Sequence, residues 1–212
     1  MKSFLLVLSV FVFCSFGFAE ISDDSWTKLT KYYYLNKNNT SDAQTRFNLA
    51  MAYAYTGFVE EGFKEIASIP LLDPEFKYRA LERYSRKVKS YPKNWEYRFF
   101  YAFILFINEK KDEAIEEFRK VVDLVSDDSI KGWAYGYMAY IYADKREWEK
   151  AMETINIAIK YEPEGAGLYF AQGLARKEKG DNFGAASAII KASTLQAKQM
   201  LNRKSLKNLK ND

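Results

Sequence analysis

Hydrophobic residues recur every three to four positions along nearly the whole chain beyond residue 25, which is the period of an amphipathic α-helix. Segments that alternate between polar and apolar residues, as half-buried strands do, are absent from the sequence. The 4 Pro and 10 Gly residues fall mostly where the periodic segments stop. The pattern therefore predicts an all-helical protein with short connections.

Several of the predicted helix boundaries have suitable capping chemistry. The pair Asp73-Pro74 offers an N-cap residue followed by proline at the first helical position. Asn94 is predicted to cap the next helix in the same way. Gly57 and Gly180 lie between helices that the spacing pairs, so each is expected in a turn.

Small residues recur in register where the two helices of a pair would cross. Two helices approach closely only where side chains are small, and larger residues then fill the space beside the crossing. In the clearest unit, which starts at Gly132, the small residues are Ala139, Ala151 and Ala158, Tyr142 is a larger residue beside the crossing, and Pro163 is the last residue of the unit. The next unit starts at Ala166, one period of about 34 residues later. Its matching residues are Gly173, Ala185 and Ala192.

These units resemble the tetratricopeptide repeat, a helix-turn-helix unit that stacks on its neighbours. Two weaker units start at positions 95 and 43, and their crossing residues are Ala102, Ala114, Ala50 and Gly62. The resemblance implies an all-α, tetratricopeptide-type helical-repeat solenoid of about four helix pairs, with an extra helix and an N-terminal capping helix.

The expected organisation has four parts. They are a secretory signal peptide at 1–19, a linker and capping helix at 20–42, repeats over 43–198, and a basic C-terminal tail at 199–212. The four repeats are expected at 43–73, 95–128, 132–163 and 166–198, with the extra helix at 74–92. The extra helix is either a solitary insertion or the second helix of a degenerate pair.

The first nineteen residues have the pattern of a secretory signal. Lys2 precedes an apolar run over 4–16, and Gly17-Phe18-Ala19 places small residues at the expected cleavage site. An uncleaved anchor is the weaker interpretation, because a spanning helix needs about 20 apolar residues. The protein is therefore expected to be exported, and periplasmic, associated with the cell envelope or secreted, with at most a peripheral membrane contact.

Composition excludes several classes of function. The 212 residues include no His and one Cys, Cys14, which falls in the signal segment. Catalysis that depends on imidazole, metal sites with His ligands and an intrachain disulfide are therefore excluded. The 32 Lys and Arg against 28 Asp and Glu give a net charge of +4, too small to indicate nucleic-acid binding. We expect neither a metal nor a cofactor.

Candidates for catalysis without His or Cys are weak. Adjacent acids in a helix point about 100° apart and cannot flank one substrate bond, so they are interpreted as solvated surface. These pairs are Glu60-Glu61, Glu116-Glu117 and Asp127-Asp128. Ser25 and Lys28 match an S-x-x-K pattern, but its companion motifs are missing. Gly165-Ala-Gly167 lacks the third glycine and the strand of a dinucleotide site. The sequence favours a protein that is not an enzyme.

The resemblance to tetratricopeptide repeats also implies a candidate binding surface, because in that family fixed positions of each first helix line a concave groove. Those positions here are Phe47, Met51, Tyr55, Phe99, Phe103, Phe106, Trp133, Tyr140, Phe170 and Leu174. This aromatic groove is predicted to receive an apolar stretch of a partner protein or peptide. Alternatively, the extra helix, the N-terminal helix or a second copy of the chain already fills it.

Basic residues cluster on one side of the extra helix, at Arg79, Arg83, Arg86 and Lys87. They form either a solvated face or a docking face for an acidic partner, an anionic lipid or a cell-wall polymer. The function that the sequence favours is an exported scaffold or adaptor that binds proteins. The alternatives are a structural subunit of a permanent complex or homo-oligomer, in which the groove is buried, and an accessory binding subunit of an envelope enzyme.

Overall fold

The structure, a computed structural model, describes residues 21–202, with side chains described over 21–197. The predicted signal peptide and most of the predicted basic tail lie outside these residues. Ten α-helices and no strand occur in the described part, and none of these helices is long and apolar enough to cross a membrane. The helices are α1 (Asp23–Lys37), α2 (Ala43–Tyr55), α3 (Val59–Leu72), α4 (Phe76–Ser90), α5 (Trp95–Ile107), α6 (Lys111–Leu124), α7 (Asp128–Asp144), α8 (Trp148–Tyr161), α9 (Ala166–Glu178) and α10 (Asn182–Asn202).

Four helix pairs make up most of the molecule, as the repeat register predicts. The pairs are α2 with α3, α5 with α6, α7 with α8, and α9 with α10, and from α5 onward the second helix of each pair packs on the first helix of the next. The remaining helices are α1, which packs on α2, and the extra helix α4, which packs on α5. The all-α helical-repeat fold is confirmed.

Close helix crossings occur at the small residues that the sequence predicts. A Cβ atom on Gly62 would lie 3.0 Å from the carbonyl oxygen of Ala50, and one on Gly173 would lie 3.1 Å from that of Ala185. Ala102 and Ala114, at the same register positions in the α5–α6 pair, are both completely buried. Residues with longer side chains would force these helices apart.

The same turn joins all four helix pairs. One residue in each turn has a positive φ, at 82° for Gly57 and Gly180 and at 61° for Glu109 and Arg146. Each of these residues stands two positions before the second helix of its pair. Glycine adopts this left-handed conformation at no steric cost, whereas Glu and Arg do so with strain.

Of the two predicted N-caps, one agrees with the structure and one does not. Asn94 caps α5 as predicted, and its side chain accepts a hydrogen bond of 2.9 Å from the backbone nitrogen of Tyr97. Asp73, however, does not cap α4, which starts only at Phe76. Its backbone nitrogen donates to Ile69 at the end of α3, and its carboxylate accepts from the backbone nitrogen of Glu75. Asp73 therefore ends α3 and holds the turn before α4.

The acidic pairs are not all solvated. Asp127 caps α7 by accepting from the backbone nitrogens of Ser129 and Ile130. Glu61 and Glu117 are buried, contrary to the prediction. Glu117 lies where α6 faces α5, and its carboxylate contacts the guanidinium of Arg98 at 2.7 Å. The ion pair explains how a charged residue is accommodated there.

Candidate protein-binding groove

The first part of the predicted groove is occupied by the chain itself, because α2 lies across α5 and α7. The hydroxyl of Tyr137 on α7 donates a hydrogen bond of 3.0 Å to the carbonyl oxygen of Ala54 near the end of α2. The ring of Tyr55 packs edge-on against Trp95 and Phe99 of α5, with centroids 5.2 and 5.6 Å apart. The first helix of the first repeat thus packs on the inner face of the second and third repeats.

Half of the predicted groove residues are consequently in the core. The five that are buried are Phe47, Met51, Tyr55, Phe99 and Trp133. Phe47 shows the reason, since its ring packs against Phe76 and Tyr84 of α4 and against Phe100 of α5, with centroids 5.4 to 5.8 Å apart. The extra helix closes over α2 from one side while α5 lies on the other. The prediction that these five residues line an open groove is corrected accordingly.

The other five predicted residues are half-buried and lie further along the array. They are Phe103, Phe106, Tyr140, Phe170 and Leu174, and we call this set the open groove. Phe106 and Tyr140 join the second and third repeats through an edge-on ring contact of 5.6 Å. Phe103 is the most internal member, with its ring 4.6 Å from that of Tyr137. The open groove is therefore a row of partly accessible aromatic and aliphatic side chains on α5, α7 and α9.

A polar cluster under α2 was not identified from the sequence. Glu96, in the first turn of α5, accepts hydrogen bonds from the hydroxyls of Tyr32 at 3.3 Å and Tyr55 at 3.2 Å. Burial raises the pKa of the Glu96 carboxyl above 4.5, although Lys28 and the two hydroxyls act in the opposite direction. Glu96 stands at the second position of its repeat, where Trp133 stands in the third, so the register could have located it.

The tyrosine hydroxyls in this cluster are hydrogen-bond donors over the whole physiological pH range. Burial raises the pKa of Tyr32 and of Tyr55 well above 10.0, and the neighbouring carboxylate of Glu96 adds to the effect. The ammonium of Lys28 lies 4.8 Å from the ring of Trp95, close to the same cluster. Together these contacts fasten α1 and α2 to the start of α5.

The predicted basic face exists, but its members have partners within the protein. Arg79 pairs with Asp73, and Arg86 lies 3.5 Å from Glu82. The Lys87 ammonium lies 4.5 Å from the Tyr97 ring. Its pKa is lowered first by burial and then by the nearby charge of Arg83.

Arg83 donates to the side chain of Gln44 at the start of α2. Arg79 and Arg83 also line a cavity of about 470 Å³ between the start of α2 and α4, whose walls include Asp42 and Asp73. The two acidic residues offset the two basic ones, so the cavity has no strong preference for an anion. In the described part of the chain, no group of three or more His, Cys, Asp or Glu residues is placed to hold a metal ion.

Comparisons with known proteins agree with this architecture. A tetratricopeptide repeat family model matches residues 79–129, which run from within α4 through α5 and α6. A search of curated proteins gave no match. Among solved structures, YrrB, described as a TPR protein with an unusual peptide-binding site, is 16% identical over 83% of this chain and 97% of its own, with a TM-score of 0.51.

A structure described as MamA MSR-1 C2 is 15% identical over 84% of this chain and 99% of its own, with a TM-score of 0.50. One described as MamA AMB-1 is 16% identical over 84% and 99%, also with a TM-score of 0.50. At these identities the likeness concerns the fold. The fold of this chain is that of a tetratricopeptide-repeat solenoid, and the resemblance seen in the sequence is confirmed.

Proposed function

We propose that this protein is an exported, non-enzymatic scaffold that binds a segment of a partner polypeptide in the open groove. The observation that carries the proposal is the row of half-buried Phe106, Tyr140, Phe170 and Leu174, which continues along the inner face beyond the point where α2 ends. Side chains of this kind bury apolar surface on binding while losing little conformational freedom. An apolar or aromatic stretch of peptide is the ligand that fits them.

The position of α2 supports this proposal. In the first half of the inner face, α2 places Phe47, Met51 and Tyr55 against the helices behind it. The inner face therefore binds a helix through that helix's apolar side. The open groove continues the same surface into the third and fourth repeats. YrrB is described as having a peptide-binding site. A peptide held by the same fold is the kind of complex that we propose here.

Export is the second part of the proposal, and the residue pattern of the first nineteen positions supports it. The mature protein would then begin at Glu20 and act in the periplasm or at the cell envelope. Determining the N-terminal residue of the protein recovered from fractionated cells tests this part alone. A protein that begins at Glu20 in the periplasmic fraction is expected, and a protein that keeps Met1 in the cytoplasmic fraction contradicts it.

The binding proposal is tested by site-specific photo-crosslinking in cells that produce the protein. Benzoylphenylalanine replaces Phe170 in the open groove, and in a matched control it replaces Tyr78, which is 55% exposed on α4. We expect discrete adducts with another polypeptide from position 170 and none of the same mass from position 78. The Tyr140→Ser substitution should reduce the adduct while circular dichroism shows unchanged helicity. Identical adducts from both positions, or none from position 170, would overturn the proposal.

A further inference from the structure

The last helix has an uncharged stripe, with two large apolar residues, on the face that points away from the rest of the array. Phe183 is 89% exposed and Ile190 is 67% exposed, and they stand seven residues apart, which is two helical turns. The residues between and beyond them on the same stripe are also exposed, and all are small: Ala186, Ser187, Ser193, Thr194 and Ala197. A terminal repeat that faces water normally has a polar outer surface.

The corresponding face of α6 and of α8 packs on the following repeat. Asp112, in the first turn of α6, contacts Lys145 at the end of α7 at 2.5 Å. Glu149, in the first turn of α8, contacts Lys179 after α9 at 3.4 Å. The repeat register places Phe183 of α10 at this same position. Where the second and third repeats have an acid that pairs with the following unit, the last repeat has an exposed aromatic ring.

Ile190 also stands at a register position that contacts the following repeat in α6 and α8. Its counterpart on α6 is Arg119, whose guanidinium donates to the hydroxyl of Tyr142 on α7 at 2.9 Å. Its counterpart on α8 is Asn156, whose side-chain oxygen accepts from Gln172 on α9 at 2.7 Å. Each of these contacts joins one repeat to the next. Ile190 therefore stands where a further helix would pack, and it is apolar.

Charge is nearly absent from this helix. Residues 182–197 include one charged residue, Lys191, whereas eight of the 14 residues of α6 are charged. Depletion of charge is a property of the buried centre of protein interfaces. The hydroxyls of Ser193 and Thr194 donate to carbonyl oxygens of their own helix at 3.0 and 2.9 Å. Covering the stripe would therefore leave neither of these hydroxyls unpaired.

We propose that this stripe is the interface of a symmetric homodimer in which α10 of one copy packs antiparallel on α10 of the other. The spacing is self-complementary, because Phe183 and Ala197 each stand seven residues from Ile190. With the two Ile190 side chains at the twofold axis, each Phe183 ring faces the small Ala197 of the other copy. Isologous contacts of this kind close on themselves and expose no further stripe.

The size of the contact indicates how tight the dimer is. We expect one helix from each copy to bury less than the roughly 1,200 Å² at the lower end of stable complexes. We therefore expect a dimer that dissociates on dilution rather than a permanent one. The interface lies on α10, away from the open groove, so this inference does not rest on the proposed function.

Sedimentation over a range of protein concentrations tests the inference. The protein should reach twice its monomer mass as its concentration rises, and Ile190→Glu should keep it monomeric with unchanged helicity, because two carboxylates would meet at the axis. Ile157→Glu is the matched control on α8, where Ile157 is 37% exposed, and it should leave the dimer intact. A wild-type protein that stays monomeric at every concentration overturns the proposal, as does a dimer that survives Ile190→Glu.

A cysteine variant gives a second, positive readout. In a Cys14→Ser background, Ile190→Cys should oxidise to a disulfide-linked dimer, since the two thiols would meet at the axis, and Ile157→Cys should not. Equal crosslinking of the two variants overturns the proposal. A monomer in which the Ile190→Cys thiol is protected from a small thiol reagent also overturns the proposal. In that case another segment of the same chain, such as residues 203–212, would cover the stripe.

Discussion

The hydroxyl of Tyr137 and the carbonyl oxygen of Ala54 are 83 residues apart in the chain and 3.0 Å apart in the structure. This hydrogen bond joins the third repeat to the first across the inner face of the array. It is buried, and burial raises the pKa of Tyr137 well above 10.0, so the hydroxyl keeps its proton. The bond lies where α2 occupies part of the inner face of the repeats.

The bond between Tyr137 and Ala54 should contribute measurably to stability. Tyr137→Phe keeps the ring in place and leaves the buried carbonyl without its partner, which should cost about 1 kcal/mol of the free energy of unfolding. Urea denaturation monitored by circular dichroism measures the change. Tyr91→Phe is the control, since Tyr91 is 60% exposed, and should have little effect. Equal effects of the two substitutions would show that the bond does not form.

The two oxygens of Glu96 should contribute mainly as acceptors for Tyr32 and Tyr55. Glu96→Ala removes the acceptor of buried Tyr55 and of half-buried Tyr32, which should cost about 1 to 3 kcal/mol for the buried hydroxyl and less for the other. Glu96→Gln still offers one acceptor and one donor, so it should cost far less at neutral pH. Thermal or urea denaturation of the two variants measures the difference. If the Gln and Ala variants are equally destabilised, the negative charge of Glu96 rather than its hydrogen bonds stabilises the fold.

The same pair of variants predicts a pH dependence. The folded protein holds the Glu96 proton more tightly than the unfolded chain, because burial raises the pKa of this carboxyl above 4.5. Stability from this residue is therefore greatest below 4.5 and falls as the pH rises through the raised pKa. Glu96→Gln should remove this dependence of stability on pH, and denaturation at a series of pH values above 4.5 measures it. An unchanged dependence contradicts the assignment.

The helix crossings were predictable because they depend only on residue size and register. Ala50 with Gly62, and Gly173 with Ala185, stand at fixed repeat positions, and the structure brings each pair together. The turns were half predictable, since Gly57 and Gly180 are evident in the sequence. Glu109 and Arg146 at the same position are not, because a non-glycine residue gives no sign of a positive φ.

The groove was less predictable than the fold. The repeat register predicts which face of α2 carries Phe47 and Tyr55, but it does not predict which neighbouring helix covers that face. The insertion of α4 decides this, because it separates the first repeat from the second and lets α2 pack on both α5 and α7. No spacing rule within a repeat contains that information.

Substitutions at two equivalent turn residues should change the stability of the protein in opposite directions. Gly180→Ala should cost about 1 kcal/mol, although no atom lies within 4 Å of the added methyl group, because φ is 82° there. Arg146→Gly should instead be neutral or stabilise by up to about 1 kcal/mol, since strain at a φ of 61° is relieved at some cost in chain entropy. Thermal unfolding of both variants measures this, and a strongly destabilised Arg146→Gly would be contrary to expectation.

Two glycines of α7 make a matched pair for helix crossing. Gly132→Ala places a methyl group 2.6 Å from the Cβ of Glu162 and 3.3 Å from the carbonyl oxygen of Ala158, so it should destabilise by about 1 to 3 kcal/mol. Gly136→Ala meets only the end of the Leu168 side chain, which can move. Helix propensity alone would stabilise both variants by almost 1 kcal/mol. Equal effects of the two substitutions would contradict the close crossing at Gly132.

The central claim is that α2 occupies the inner face beside α7 and leaves only the later repeats open to a partner. Nuclear Overhauser contacts of the Tyr137 ring in solution test this most directly. We expect contacts to Ala54 on α2 in addition to those with Phe99, Phe103 and Phe118, whose ring centroids lie within 5.9 Å of that of Tyr137. Contacts to the α5 and α6 residues without any to α2 would contradict the claim.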